Sequence, residues 1–163
     1  MTGTALSLSE LPSALAGKFP GKVTPVPGRK DMLAALKVLP EAIVPVSQFL
    51  RDQGTFEHCA LVSGVDWIDR IEVLYHLWSD EYKGYLELSV DLPADEPHVA
   101  SVTPVWSGAN WHERETWDML GVRFDGHPDL RRVLMPEGYR FHPLRKSFEL
   151  REPEELEVKA RHV

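Results

Sequence analysis

A dense run of chemically capable residues lies between Trp111 and Leu150: Glu113, Arg114, Glu115, Asp118, His127, Asp129, Arg131, Arg132, Arg145 and Lys146. Their spacing begins as a helix. Trp106, Ala109, Asn110, Glu113, Trp117 and Leu120 fall on one face at helical period. Glu113 thus sits in the middle of an apolar stripe. A carboxylate there must meet a cation, meet several donors, or hold its proton. Cations follow at Arg131, Arg132, Arg145 and Lys146, and an arginine fork matches a carboxylate with two parallel hydrogen bonds. The expectation is that the downstream loop folds back and an arginine binds Glu113. Arg114 and Asp118, four residues apart, are expected to pair along the helix. Glu113→Gln should then weaken stability or assembly far more than Glu115→Gln, because Glu115 points away from the stripe. The same buried carboxylate could serve as a general acid or base. No nucleophile or metal-ligand set accompanies it, which favours a structural network.

Other chemistries find little support. His112, His127 and His142 lie near Asp125 and Asp129, but none makes the two-histidine, one-turn spacing of a helical zinc site, since position 116 is Thr. His127-Pro128-Asp129 suits a turn, with Asp129 bonding backbone amides. Glycine-rich phosphate cradles and the nucleophile elbow are missing. The lone cysteine, Cys59, excludes an internal disulfide and an iron–sulfur cluster or zinc ribbon held by this chain alone. Beside Ala60, Leu61 and Val62 it reads as a small buried hydrophobe. Two rival functions stay open on residues alone. One is a small metal-dependent hydrolase using His112, Glu113, His127 and Asp129. The other is a free-standing module that binds an acidic partner through Arg131, Arg132, Arg145 and Lys146.

The elements that must position this stretch are mixed. Ser7 and Glu10 have capping-box spacing for a short helix to about Ala16. Prolines and glycines then allow one short strand around Val23. Asp31 to Leu39 is helical by propensity, yet its brevity and Pro40 permit a strand. A helix is expected from Pro40 to Gln53, with Gly54 past its end and Pro45 in its first turn. His58 to Val65 is mostly apolar, and Arg70 to Trp78 and Tyr85 to Leu92 alternate with period two, joined by a hairpin turn. His98 to Val105 is a fourth strand candidate. The helix over 107–120 should pack Trp106, Trp117 and Leu120 on the sheet and end at Gly121. The fold class is therefore α+β. A largely antiparallel sheet of about four strands carries helices on one face, and an irregular basic loop follows.

The whole chain has 163 residues, 43% hydrophobic and 26% charged, which suits one folded domain over residues 1–150 with a charged tail at 151–163. Its net charge of −7 disfavours a nucleic-acid binder. The charge is uneven, acidic from Glu41 to Val99 and locally basic from Arg123 to Lys146. No apolar run approaches the ~20 residues of a membrane-spanning helix. Met1 to Leu11 has no signal-peptide character. If the protein works at a membrane, another chain is expected to hold it there.

One pattern in these residues is long and specific. Glu113-Arg114-Glu115, Asp118-Met119-Leu120, His127 and Arg131-Arg132-Val133-Leu134 together resemble the signature, here 113–134, of the 30-kDa subunit family of respiratory complex I. This is the C subunit of the bacterial NADH:quinone oxidoreductase. Pro143-Leu144-Arg145-Lys146 looks like the family's second landmark, and Leu61 to Asp66 and Ser101-Val102-Thr103 also fit its pattern. Departures are Tyr139 to His142, where relatives usually carry a glycine close to the proline, and Ser147 and Glu149, where an acidic residue and a proline are common. The resemblance implies a non-catalytic subunit of the hydrophilic arm, peripheral on the cytoplasmic face of the inner membrane. It implies no flavin, iron–sulfur cluster, quinone or metal on this chain. Electrons would pass from NADH through FMN and clusters in neighbouring subunits to quinone. The implied partners are the large, 49-kDa-type subunit of the quinone pocket and adjacent iron–sulfur subunits. Asp129, Arg131, Arg132, Pro143, Leu144, Arg145 and Lys146 are the implied interface residues. An equivalent subunit of a membrane-bound hydrogenase, or of a ferredoxin- or deazaflavin-dependent dehydrogenase, is the related alternative.

Overall fold

The structure, a computed structural model, describes residues 10–26 and 34–149. The expected Ser7 cap, the start at Asp31 and the tail at 151–163 lie outside the described residues. Helix α1 spans Leu11–Lys18 and opens with Pro12 in its first turn, where a missing N–H costs nothing. Strands β1 (Val23–Val26) and β2 (Ala34–Val38) follow. The ambiguous Ala/Leu stretch is thus a strand. Pairing with β1 and with β5 (Gly84–Pro93) overrides its local helix propensity. The expected Pro40 helix resolves into a short 3-10 turn, Pro40–Ala42, leading into α2, Ile43–Asp52, with Pro45 in the first α-helical turn.

Strands β3 (His58–Asp66), β4 (Arg70–Ser79) and β5 form an antiparallel meander. Among the described residues the sheet has five strands, in the order β1-β2-β5-β4-β3. Only the β2–β5 pair is parallel, and that pairing needs a crossover, which α2 begins by carrying the chain from β2 to the far edge at β3. Pro25 is tolerated because β1 is an edge strand. The period-two residues do what their pattern requires. Ile71, Val73, Tyr75 and Leu77 stand opposite Leu92, Val90, Leu88 and Leu86, and all eight are buried. Side chains from α1, α2 and α3 (Ala109–Leu120) join them in one continuous core.

The fourth strand candidate is a correction. Only His98–Ala100 is extended, as β6, and it leaves the main sheet to pair in parallel with β7, Arg123–Asp125. The Ser101 N–H donates to the Asp125 carbonyl at 2.9 Å, after which the chain turns through Val102 to Trp106. Its valines are buried as loop anchors, not as a sheet face. This small β6–β7 ladder brackets α3 and fixes where its two ends emerge.

Candidate functional site

Helix α3 has two buried faces. One looks at β3, where the Thr116 hydroxyl donates to the Val62 carbonyl at 3.3 Å. Glu113 is fully buried there, at 0% exposure. Among the described residues it meets no arginine. Its Oε1 accepts the Val102 N–H at 2.8 Å and its Oε2 accepts the Ser101 hydroxyl at 2.6 Å. Ser101 is held in turn by the Thr103 hydroxyl at 2.7 Å and the Thr103 N–H at 3.1 Å. The expected arginine clamp is therefore overturned. The β6–α3 turn reaches Glu113 first and offers neutral donors. Burial raises its pKa, its neutral donors only partly oppose that, and the group sits at about 7.

His127 lies beside this carboxylate, its Nε2 4.0 Å from Glu113 Oε2. The imidazole is committed on both nitrogens. Nε2 faces the Asn110 carbonyl at 3.2 Å, and Nδ1 accepts the Asp129 N–H at 3.0 Å. That pattern fits one neutral tautomer. Burial, which disfavours the imidazolium, pulls its pKa down. His127 is thus a pin between α3 and the following loop. It has no nitrogen free for a metal, and among the described residues no three His, Cys, Asp or Glu side chains converge to hold one.

The outer face of α3 organises the loop that follows β7. Asp118 is buried and collects donors as an N-terminal cap would. Its Oδ2 accepts the N–H groups of Val133 at 3.0 Å, Leu134 at 2.8 Å and Met135 at 3.0 Å, and its Oδ1 takes the Arg132 guanidinium. Burial pushes its pKa up, but the Met135 and Leu134 amides, the Arg132 guanidinium and the Val133 amide together hold it below the ordinary carboxylate value. Arg132 is sandwiched between Trp117 and Tyr139, 5.3 and 5.5 Å from the ring centres, so its side chain is only 11% exposed. It positions the loop, and its guanidinium is engaged within the chain.

Arg114 does not pair with Asp118 either. Asp118 is saturated by the loop. Arg114 instead donates to the carbonyls of Arg131 at 3.1 Å and Arg132 at 3.3 Å, and stacks 4.6 Å from the centre of Trp111. The arginine of the Glu-Arg-Glu triplet thus reads backbone, while its first glutamate anchors the helix from within. Glu115 is exposed, as expected.

The C-terminal end of α3 is closed by the same loop. His142 Nδ1 faces the Asp118 carbonyl at 3.0 Å, and the Leu144 N–H donates to the Met119 carbonyl at 3.0 Å. Gly121 ends the helix at φ +78°, and a Cβ there would stand 2.7 Å from the His142 ring. Gly126 has a similar φ of +81° with nothing within 4 Å. Gly121→Ala is therefore expected to cost about 2 kcal/mol in urea denaturation, and Gly126→Ala only about 1 kcal/mol. Equal losses would show that the ring does not seal the helix end.

Further along, Arg145 donates to the Ala94 carbonyl at 2.6 Å, and the Lys146 N–H donates to Asp66 at 2.9 Å. The loop between His127 and Lys146 is thus shaped at every few residues by a side chain of α3 or of the sheet. Trp111, Leu134 and Leu144 stand exposed along it.

The matches to known proteins follow this stretch. The family model of the respiratory-chain NADH dehydrogenase 30 Kd subunit matches residues 36–154. The chain belongs to this family. Its likeness to named members of the 30 Kd subunit family is close. It is 44% identical over 144 residues to a C subunit of the NADH-quinone oxidoreductase of Rhizobium meliloti (strain 1021), covering 85% of this chain and 78% of that one. It spans about half the length of some other relatives, 49% in the corresponding NADH-quinone oxidoreductase protein of Salinispora tropica, which is 46% identical over 71% of this chain. Among solved structures, the Nqo5 trypsin-resistant fragment (1-134) superposes with TM-score 0.62 at 25% identity, over 76% of this chain and 98% of the fragment. A chain of the membrane-bound sulfane sulfur reductase, an archaeal respiratory membrane complex, superposes with TM-score 0.72 at 23% identity, over 87% of this chain and 85% of that one, and shows the same fold.

Seen as a 30 Kd subunit, the chain divides its signature into two jobs. Glu113, Arg114, Asp118, His127 and Arg132 meet around α3 and hold backbone. Asp129 and Arg131 pair with each other at 2.8 Å on the surface, Pro143 is half-buried, Leu144 and Lys146 are exposed, and Arg145 bonds across to the β5–β6 loop. Sequence reasoning missed Ser101 as the donor to Glu113, Asp66 as the anchor of Lys146, and the exposed pair Trp111 and Leu134. The bulky apolar type of Trp111, beside charged neighbours on the helix, was the available signal.

Proposed function

We propose that this chain is a non-catalytic scaffold subunit in the hydrophilic arm of a complex-I-type NADH:quinone oxidoreductase, and that the loop shaped by α3 is its docking face. FMN, iron–sulfur clusters and the quinone site belong, on this reading, to neighbouring subunits, with the large 49-kDa-type subunit as the principal contact. The chain would lie peripherally at the cytoplasmic face of the inner membrane, held there by other subunits. No helix among the described residues is long and apolar enough to span a bilayer, which agrees with an anchor elsewhere.

One observation carries the reading. The buried, costly groups of the signature, Asp118 above all, spend their hydrogen bonds on loop backbone and leave Leu134 and Leu144 facing outward. A catalytic carboxylate would keep an oxygen for substrate. Asp118 keeps none free, and Glu113 is closed off by the β6–α3 turn. A rigid loop with outward leucines beside Arg131 supports docking on a partner surface.

Leu134→Asp tests this without disturbing the loop, because its backbone N–H bond to Asp118 is unaffected. The variant should fold with wild-type stability, yet lower complex-bound NADH:quinone activity in membranes at least tenfold through lost assembly. Full assembly with an aspartate at that position would contradict the docking face.

A further inference from the structure

The β3–β4 hairpin tip carries two large side chains that the core does not use. Ile68 is 73% exposed and has φ +78°, the left-handed conformation that disfavours β-branched residues. The isolated chain has no use for it: glycine or asparagine would relieve the backbone, and a polar side chain would hydrate better. Yet the turn is built to hold it. Asp66 Oδ1 accepts the Ile68 N–H at 2.7 Å, and the Trp67 N–H donates to the Arg70 carbonyl at 2.9 Å. Beside it, half-exposed Trp67 is fixed by its indole N–H to Glu72 at 3.0 Å and by Arg70, 5.3 Å from its ring centre.

The tip is continuous with the docking loop. The other oxygen of Asp66 accepts the Lys146 N–H, and the Lys146 ammonium lies 5.9 Å from the Trp67 ring. An open cleft of about 430 Å³ runs beside Ile68, with Asp95, Arg145 and Lys146 on its walls. Arg145 and Lys146 thus stand beside an exposed isoleucine, facing Asp66 and Asp95 across the cleft, on a chain of net charge −7. Asp66 spends its two oxygens on the Ile68 and Lys146 amides, and it also feels the charges of Arg145 and Lys146.

We infer that the Trp67–Ile68 tip is an apolar anchor of the subunit interface: Ile68 inserts into an apolar pocket of a neighbouring protein subunit whose rim supplies carboxylates to Lys146 and Arg145. This rests on the proposed docking role and extends it from the α3 loop to the β3–β4 hairpin. The strained turn then serves assembly at the expense of the free chain.

The test uses the tagged full chain, purified gently from detergent-solubilised membranes, with copurifying subunits quantified. Ile68→Gly should leave the melting temperature of the chain unchanged or higher, while recovery of partner subunits falls at least tenfold. Ile68→Asn should do the same, and Lys146→Glu should lower recovery further at low salt than at high salt. Leu134→Asp, run in parallel, reports on the loop face alone. If Leu134→Asp loses the partners and both Ile68 variants keep them, the tip is not an anchor and the docking role stands. If the wild-type chain brings no partners, both fall together. If the free chain cosediments with phosphatidylserine vesicles through Ile68 and subunit recovery is unaffected, the tip's target is lipid and the proposal is overturned.

Discussion

Asp118→Asn is expected to destabilise the chain by about 3 kcal/mol and to release the backbone from Val133 to Met135. The carboxylate serves three amides through one oxygen and a guanidinium through the other. An amide side chain must turn its NH2 toward one of these donor sets, leaving either buried N–H groups or a nearly buried arginine unpaired. Breaking a buried charge pair from one side costs ~3–5 kcal/mol. The matched control is Asp129→Asn. Asp129 and Arg131 form an exposed pair, and such pairs contribute ~0–1 kcal/mol. Urea denaturation gives the stability, and hydrogen exchange gives the three amides individually. The depressed pKa of Asp118 sets the sign with pH. Its stabilising contribution is present above the ordinary value of 3.8 and is lost as the pH falls through the lower folded value. Unchanged protection of those amides in the variant would show that the loop is held by other means.

The second large effect belongs to Glu113 and runs the opposite way with pH. Its pKa rises on folding from 4.5 to about 7, burial being the first cause. A carboxyl that prefers its proton in the folded state costs nothing below 4.5. Its penalty grows between pH 4.5 and about 7, at ~1.4 kcal/mol per unit, and levels off near about 3 kcal/mol above that. Gln can keep the Val102 bond and let Ser101 reverse its hydroxyl. Glu113→Gln is therefore expected to be near neutral at pH 5 and to be the more stable form at pH 8 by up to about 3 kcal/mol. Glu115→Gln should stay within about 0.5 kcal/mol throughout. This reverses, at alkaline pH, the loss that the sequence leads one to expect. The comparison isolates Glu113 from His127, whose lowered pKa makes its own contribution present above 6.5 and lost at lower pH. Parallel stability curves for the wild type and Glu113→Gln from pH 5 to 8 would remove the buried-proton account.

The two carboxylates also mark the limit of what the sequence makes legible. The helical period places Glu113 inside α3 correctly, because a stripe is a local property. Its partners are not local. Ser101 and Val102 reach it only because β6 leaves the main sheet to pair with β7, and nothing in the residues from His98 to Val105 announces that departure. Counting charges pointed to arginines, but those arginines had other work. Arg132 goes to Asp118, and Arg114 goes to carbonyls, which carry no charge to count. The alternating strands β4 and β5 were plain, since one buried face imposes period two. Strand β2 was not, because Ala and Leu favour helix and only neighbouring strands decide otherwise. The family signature was recognisable as a pattern. Its physical division into groups that hold the loop and groups that face outward needed the fold.

The central claim is that this loop docks the chain onto other subunits of an oxidoreductase complex. Affinity purification of the tagged wild-type chain from gently solubilised membranes, with every copurifying protein identified, tests it most directly. The expected result is a stoichiometric set that includes a large quinone-pocket subunit together with flavin- and cluster-bearing NADH-oxidising subunits. The large subunit with hydrogenase- or ferredoxin-type input instead would keep the docking role and change the reaction. A chain that reproducibly emerges alone would contradict the account.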